Sequence, residues 1–407
     1  MHWWHDLPGG CMGVRTRYSD DLLWLPYAVF EYVNVTGDRS LLSAKVPYLS
    51  SPPLEDGEKS RCEQPPLSAR RESVLAHCVR ACEMVAERGV GVHGLPLMLG
   101  GDWNDGMDLV GAEGRGESVW LGFFAANVFR RTAYLCRRAE MRQKAEELTF
   151  FAKSMAVSAL QARDNGAFIR AWWDDGTPLG NGEGECALDS IAQSFSLWVP
   201  EGDPAEKRAA VRLAAERLWD REHGLIRLLA PPFTGKGKDP GYISDYPPGI
   251  RENGGQYTHA AVWLCMACFA AGEEELGFDM LMSLLPAKRR EEIRRTEDFV
   301  LTGDVYDHPL HRGRGGWSWY TGAAGWYMQA VMYCLFGLRF SDGILSLFPY
   351  LPKDWEGYSF ELDLYAVRLR VQVRRGGAPG VYLNGDRTDN QFRPSEMCGE
   401  ADVLVIV

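Results

Sequence analysis

The chain has 407 residues, a formal net charge of −11, 46% apolar and 24% charged residues. This is the composition of a folded globular protein with a large core, and its acidity argues against nucleic acid as a partner, because phosphate backbones select basic faces. No apolar run reaches the ~18 residues of a membrane span and no secretory leader pattern opens the chain, so the expected compartment is the cytoplasm.

Ten cysteines lack framework spacing. Cys78, Cys82, Cys136, Cys265, Cys268 and Cys334 sit in apolar runs, as buried free thiols do in a reducing compartment. Cys265-x-x-Cys268 has no second pair and reads as core.

Taken in order, the chain opens with His2-Trp3-Trp4-His5. Gly13–Asp21 then reads G-V-R-T-R-Y-S-D-D. Ser19 is expected to cap a helix with Asp20 and Asp21 in its first turn, a stripe of Leu22, Leu25, Val29 and Val33, and an end near Gly37. Residues 45–70, rich in Pro, Ser and charge, read as a long loop. Helices near 72–88, 140–163 and 204–219 are amphipathic. Those near 117–137, 189–199, 255–271 and 317–338 are apolar on nearly all sides. A helix apolar all round is buried, and an amphipathic one lies at the surface. Their alternation predicts a mainly α fold, an (α/α)6-type toroid with inner and outer helices, whose site lies in loops preceding inner helices.

Beyond Leu338 the period becomes two. Phe360, Leu362 and Leu364, then Val367, Leu369, Val371 and Val373, alternate with polar residues, and Asn384-Gly385 is a hairpin signal. The predicted division is a toroid over 1–342 and a small antiparallel β domain over 343–407.

Four polar clusters carry chemistry. They are Arg15, Arg17, Asp20 and Asp21; Gly101–Asp108, which reads G-D-W-N-D-G-M-D; Arg251–His259, which reads R-E-N-G-G-Q-Y-T-H; and Gly315–Gly322, which reads G-G-W-S-W-Y-T-G. A Trp beside a carboxylic acid suits sugar chemistry, since the ring packs on a C–H face and the acid protonates a glycosidic oxygen. The plainer reading of such a cluster is a solvated loop. Glu252 and Tyr257 could bond sugar hydroxyls. His259 could meet an anion or be a core histidine. Thr321-Gly322 could offer N–H groups to an anion at a helix start. A calcium loop is disfavoured, because the glycine after Asp102 falls at the fifth position rather than the sixth, and no zinc pattern is present, so no metal is expected. Inverting hydrolysis needs an acid and a second carboxylate to activate water. Phosphorolysis needs only the acid plus a cationic or N–H-rich pocket, which fits these clusters better.

Together with V-R-T-R-Y-S-D-D-L-L-W-L-P, G-R-G-E-S-V-W-L, D-S-I-A-Q-S, Y-P-P-G-I-R-E-N-G-G-Q-Y-T-H-A and G-R-G-G-W-S-W-Y-T-G-A-A-G-W, these motifs resemble glycoside hydrolase family 94 over nearly the whole chain. That family includes cellobiose and chitobiose phosphorylases and the phosphorylase-like domain of cyclic β-1,2-glucan synthases; the E-N-G-G-Q-Y-T-H and G-R-G-E-S-V-W-L forms are most similar to the last. The resemblance implies Asp105 as general acid, with Trp103 and Asp21 lining the donor glucosyl subsite. It implies Arg15 or Arg17 in the same pocket or on phosphate, Glu252 as a sugar-binding carboxylate, and His259, Thr321 and Gly322 on phosphate. Asp102 and Asp108 read as structural. Against the family pattern, the chain is expected to be truncated at its amino end, and Thr302 stands near a position where cellobiose-type members carry Gln.

The expected function is inverting phosphorolysis of a β-glucoside, reversible, giving α-glucose 1-phosphate, with inorganic phosphate as co-substrate and no other cofactor. The expected partners are a β-linked oligo- or disaccharide and phosphate. The resemblance suggests a homodimer, although a missing amino-terminal part would remove the usual contacts. Two alternatives stand beside it: an inverting hydrolase with Glu252 as base about 6.5–9.5 Å from Asp105, and a non-catalytic domain of a larger glucan synthase.

Overall fold

Two kinds of helix build the structure, a computed structural model that describes residues 2–6, 10–289, 292, 295–319 and 321–407. In chain order they are α1 (Trp24–Thr36), the short α2 (Ser40–Ser43), α3 (Val74–Arg88), α4 (Val119–Arg138), α5 (Arg142–Gln161), α6 (Ser190–Phe195), α7 (Pro204–Leu218), α8 (Thr258–Ala270), α9 (Glu274–Ser283) and α10 (Thr321–Ala330). Helices α4, α6 and α8 are buried along most of their length, and α3, α5 and α7 bury one face. Helices α1, α4, α6, α8 and α10 touch one another in that order. Against them lie α3 on α1 and α4, α5 on α4, α7 on α6 and α8, and α9 on α8. Gly122 permits the close packing of α4 on α5: a Cβ there would stand 2.7 Å from Leu95 and 3.2 Å from Ala159.

The helix starts explain themselves locally. Ser73, Ser118, Asp189 and Asp203 each accept a backbone N–H of the first turn, and Pro204 occupies the first helical position of α7, where its missing N–H costs nothing.

Several expectations need correction. Ser19 does not cap α1. Its backbone N–H and its hydroxyl both donate to the Gly101 carbonyl, at 2.9 and 3.1 Å, and a 3-10 turn over Asp21–Leu23 precedes the helix. The buried positions there are Leu23, Pro26, Val29 and Val33, while Leu25 is exposed. The stretch 45–70 contains strands: Lys45–Leu49 pairs with Leu67–Ser73, and Ser60–Glu63 pairs with Gly10–Thr16. Helix α9 had no forecast, because its acidic first turn masks a short apolar stripe.

The period-two region forms a five-stranded sheet of β1 (Gly357–Leu364), β2 (Ala366–Arg374), β3 (Gly380–Leu383), β4 (Asp386–Thr388) and β5 (Cys398–Ile406). Its order is β1-β2-β5-β3-β4. Every pairing is antiparallel except β2 with β5, which is parallel, so the sheet is mixed. Its core includes Leu338, Leu345 and Leu347 of a hairpin that straddles position 343, and Met332, Tyr333 and Phe336 pack on it from the helical side. Asp342 ties the two parts: it accepts from Tyr134 at 2.6 Å and from Arg39 at 3.1 Å, and pairs with Arg138.

The nine cysteines from Cys62 to Cys398 are unpaired, and Cys265 and Cys268 are core residues. No helix among the described residues is long and apolar enough to cross a membrane.

Candidate active site

Loops that run into α1, α4 and α8 converge at one end of the helical layer. They enclose a cavity of about 500 Å3 lined by Tyr18, Asp20 and Asp21 ahead of α1 and Trp24 at its start, Asp102, Trp103 and Asp105 from the second loop, Glu252 and Tyr257 ahead of α8 and His259 in its first turn, and Trp326 of α10. Convergence follows from the stitching of these loops: Ser19 bonds Gly101, Tyr18 forms a β-bridge with Leu99, and Ile243 N–H donates to Gly106 O at 2.9 Å.

The three carboxylates of Gly101–Asp108 point three ways. Asp102 is buried; Arg170 donates to its two oxygens at 2.7 and 2.6 Å, Ser118 Oγ donates at 2.6 Å, and Asn104 N–H donates at 3.0 Å. It shapes the loop from within. Asp108 accepts Lys59 Nζ at 2.8 Å and Tyr242 N–H at 3.1 Å. Asp105 is half-buried and lines the cavity together with Tyr18. Burial, then the charge of Asp105, pushes the phenols of Tyr18 and Tyr242 well above the ordinary tyrosine range, so both stay neutral.

Trp103 stands half-buried in an aromatic group, with ring centroids 5.4 Å from Tyr257, 5.4 Å from His259 and 5.1 Å from Trp263. His259 also meets Trp263 at 4.3 Å and Trp326 at 5.6 Å. Its Nε2 is buried without a hydrogen-bond partner, and burial pushes its pKa down to about 3. It is therefore a neutral imidazole, although the residue is part-exposed and lines the cavity. Glu252 accepts from Arg251 Nε at 3.1 Å and Nη2 at 3.3 Å, and Arg251 lies over the rings of Tyr246 and Trp317. Asp20 accepts Trp24 Nε1 at 2.9 Å; burial, then the neighbouring Asp21, raises its carboxyl to about 7. Asp21 accepts Thr16 Oγ1 at 2.8 Å.

Sequence reasoning named Asp105, Trp103, Asp21, Glu252, Tyr257 and His259, and the fold brings all six to one cavity. Arg15 and Arg17 are not brought there. Arg15 donates to Ser51, at 3.0 Å to its hydroxyl and 3.1 Å to its carbonyl, and Arg17 donates to the carbonyls of Glu58 and Glu55 at 2.9 and 2.7 Å. Both guanidinium groups are spent on the 50–60 segment, whose strand pairing holds it beside them. Gly322 is exposed and outside the cavity lining, and the Thr321 side chain lies outside the described residues. Among the described lining residues five are acidic and none is Lys or Arg.

Residues that sequence reasoning missed are Tyr18, Trp24, Trp326, Tyr242 and Asp304. Tyr18 lay inside a quoted motif. Tyr242 belongs to a 3-10 turn over Tyr242–Asp245 with no periodic signature. Asp304 lies directly opposite Tyr257 in a short ladder that also pairs it with Gly316. Its buried oxygens have no hydrogen-bond partner among the described residues, and burial raises its carboxyl to about 6.

A second, larger cleft of about 890 Å3 adjoins the first and shares Tyr18 with it; Tyr242, Arg17, Lys59, Asp108 and Asp239 are among its walls.

The family model described as glycosyl hydrolase 94 superfamily, catalytic domain, matches residues 2–337. The chain belongs to that superfamily. A second model, the C-terminal domain of glycosyl hydrolase family 65, matches residues 338–379. Among curated relatives, cyclic beta-(1,2)-glucan synthase NdvB of Rhizobium meliloti (strain 1021) is 40% identical over 96% of this chain and 14% of its own length. Solabiose phosphorylase of Paenibacillus borealis is 28% identical over 88% of this chain and 45% of its own. N,N'-diacetylchitobiose phosphorylase of Vibrio furnissii is 26% identical over 93% of this chain and 46% of its own. The chain thus spans less than half the length of each of these three relatives. Among solved structures, one titled "Sialidase" superposes with a TM-score of 0.51 at 10% identity, over 70% of this chain and 26% of that one, a likeness of fold alone.

Proposed function

We propose that the chain forms the glucosyl-transfer site of an inverting phosphorylase acting on β-linked glucosides, within an α/α toroid of which α1, α4, α6, α8 and α10 are inner helices. The observation that carries this reading is the setting of Asp105. A guanidinium lies against Asp102 and another against Glu252, and a cation beside a carboxylate opposes protonation. Asp105 pairs with no Lys or Arg among the described residues and lines the cavity beside Trp103, where it is placed to hand a proton to a glycosidic oxygen.

In the proposed reaction the glucosyl ring packs on Trp103. The Asp105 O–H bond breaks and the proton goes to the leaving oxygen, which keeps the electron pair of the C1–O bond. A phosphate oxygen forms the new C1–O bond from the opposite face, giving α-glucose 1-phosphate and an alcohol. Phosphate is proposed to bind near His259 and the first turn of α10, with Thr321 and Gly322 offering N–H groups. The relatives named as phosphorylases support phosphate over water as nucleophile, as does Glu252, which lines the cavity but has both oxygens already accepting from Arg251.

The test is release of glucose 1-phosphate from β-1,2-linked gluco-oligosaccharides, the probe suggested by the glucan synthase. General-acid loss in Asp105→Asn should lower the rate by ~10²–10⁴-fold; an unchanged rate removes Asp105 from the role. Free glucose released without phosphate would establish the hydrolase. A second reading, a glucan-binding domain of a longer protein, draws on the five acids and absence of Lys or Arg among the described lining residues. It predicts saccharide binding without turnover.

A further inference from the structure

We infer that a third cavity, at the far end of the helical layer, is a second saccharide site, distinct from the one that Asp105 lines. Its volume is about 620 Å3, and Trp326 is a wall that it shares with the active-site cavity. Along α8, His259 in the first turn lines the active-site cavity, while Met266 and Ala270 in the second half line the other. Along α1 the same order runs from Trp24 to Tyr27 and Glu31. The two spaces therefore lie toward opposite ends of the same helices.

One side of this cavity is aromatic. The ring centroids of Tyr27 and Trp198 are 5.8 Å apart with 21° between their planes, and Trp326 lies 6.3 Å from the first and 6.2 Å from the second. Tyr27 and Trp198 keep part of their surface open. Phe348, from the segment after the hairpin that straddles position 343, lines the same space and is 63% exposed. The wall after α10 departs from α-helical geometry. Val331–Leu335 is π-helical, and Phe336 N–H donates to Val331 O at 2.8 Å. This wider turn carries Tyr333 and Cys334, which line the cavity. Such turns are rare and recur at functional sites.

The polar groups of the wall have hydrogen-bonding capacity to spare. Gln329, Glu274 and the hydroxyls of Tyr333 and Tyr350 make no hydrogen bond among the described residues. The charged walls, by contrast, are balanced. Glu31 pairs with Arg131, Arg339 donates to the carbonyls of Tyr333 and Leu338, and the lining holds two acids and two guanidinium groups. A balanced wall favours neither an anion nor a cation. Part-open aromatic rings beside unspent amide and hydroxyl groups favour a neutral polyhydroxy ligand, whose C–H face packs on a ring while its hydroxyls donate and accept. The volume falls within the range of about 300–1,000 Å3 usual for ligand pockets and suits a short oligosaccharide.

The probe is a β-1,2-linked glucotriose, its binding to the whole chain followed by saturation-transfer NMR. Trp103→Ala removes the ring proposed to hold the glucosyl unit at the active site, and binding should persist in it. In that background Gln329→Ala, Tyr333→Phe and Tyr350→Phe each delete one unpaired hydrogen-bonding group and keep the aromatic side. Each should weaken binding about two- to tenfold. Phe348→Ala, at an exposed position that does not carry the fold, should weaken it as well. Loss of all binding in Trp103→Ala alone, or one affinity across all the variants, would overturn the second site. Self-association of the chain with no saccharide bound would mean that a second copy fills the cavity, and would overturn it too. None of these measurements needs turnover. Should the chain release no glucose 1-phosphate, the proposed function fails, and binding still decides whether the second site exists.

Discussion

Arg170 meets Asp102 through two hydrogen bonds of 2.7 and 2.6 Å, with both side chains fully withdrawn from solvent. Arg170 Nε also lies 3.5 Å from Asp189, the cap of α6. One buried guanidinium therefore joins the loop before α4 to the start of α6.

Removing it should be costly. Arg170→Leu leaves two buried carboxylates without their cation, and breaking such a pair typically costs about 3–5 kcal/mol. Urea unfolding should show a loss of that size. The control is Arg368, paired with Asp363 at 2.7 Å on the exposed sheet face with about half of each side chain or more in water. Arg368→Ala should stay within about 1 kcal/mol. Equal losses in the two variants would contradict the burial argument.

Asp20 gives stability a pH dependence of definite sign. Its carboxyl is raised from 3.8 to about 7, so the folded state binds the proton more tightly than the unfolded one. The contribution is fully present below about pH 3.8 and is lost as pH rises through 7. Asp20→Asn keeps an acceptor for Trp24 Nε1 and removes the charge. The variant should be more stable than the parent at pH 8, with the difference shrinking toward pH 4. Chemical unfolding at both pH values checks this.

His259 works in the opposite direction. Its pKa falls from 6.5 to about 3, so its contribution is present above pH 6.5 and is lost as pH falls toward 3. His259→Phe keeps a ring among Trp103, Trp263 and Trp326 but cannot be protonated. Relative to the parent, it should gain stability on going from pH 8 to pH 4, measured in the same way.

Gly241 is needed for its backbone. It has φ of +114°, and a Cβ would stand 2.1 Å from Asp108 Oδ1 and 2.8 Å from both Asp108 N and Gly106 O. Gly241→Ala must push the 242–245 turn off the Asp105 loop. We expect a stability loss of about 1–3 kcal/mol together with a fall in kcat for glucose 1-phosphate release. A variant with parent activity would show that the turn tolerates displacement.

Much of the architecture was legible because short-range patterns encode it. The all-apolar runs of α4 and α8 have no solvent face to offer, and the alternation from Phe360 to Val373 matches a strand with one buried side. The placing of polar motifs just before apolar helices brought Trp103, Asp105, Glu252, Tyr257 and His259 to one end. The strands within 45–70 were not legible, since short edge strands with Pro and charge carry the composition of a loop. The parallel pairing of β2 with β5 was also hidden, because strand order depends on contacts distant along the chain.

What the sequence determined by itself is therefore periodic and local: which helices are buried, where the sheet begins, which loops meet, and the family to which the motifs belong. The tertiary structure alone decided the role each side chain is free to take. Three aspartates within seven residues look alike in sequence. Folding sets Arg170 against Asp102 and Lys59 against Asp108, and leaves Asp105 on the cavity wall with no ion pair among the described residues. Likewise Arg15 and Arg17, expected at the substrate, are drawn instead to Ser51, Glu55 and Glu58. The physical reason is common to both cases. A charged side chain goes where its desolvation is best compensated, and the compensating partners come from segments that only the folded chain brings near.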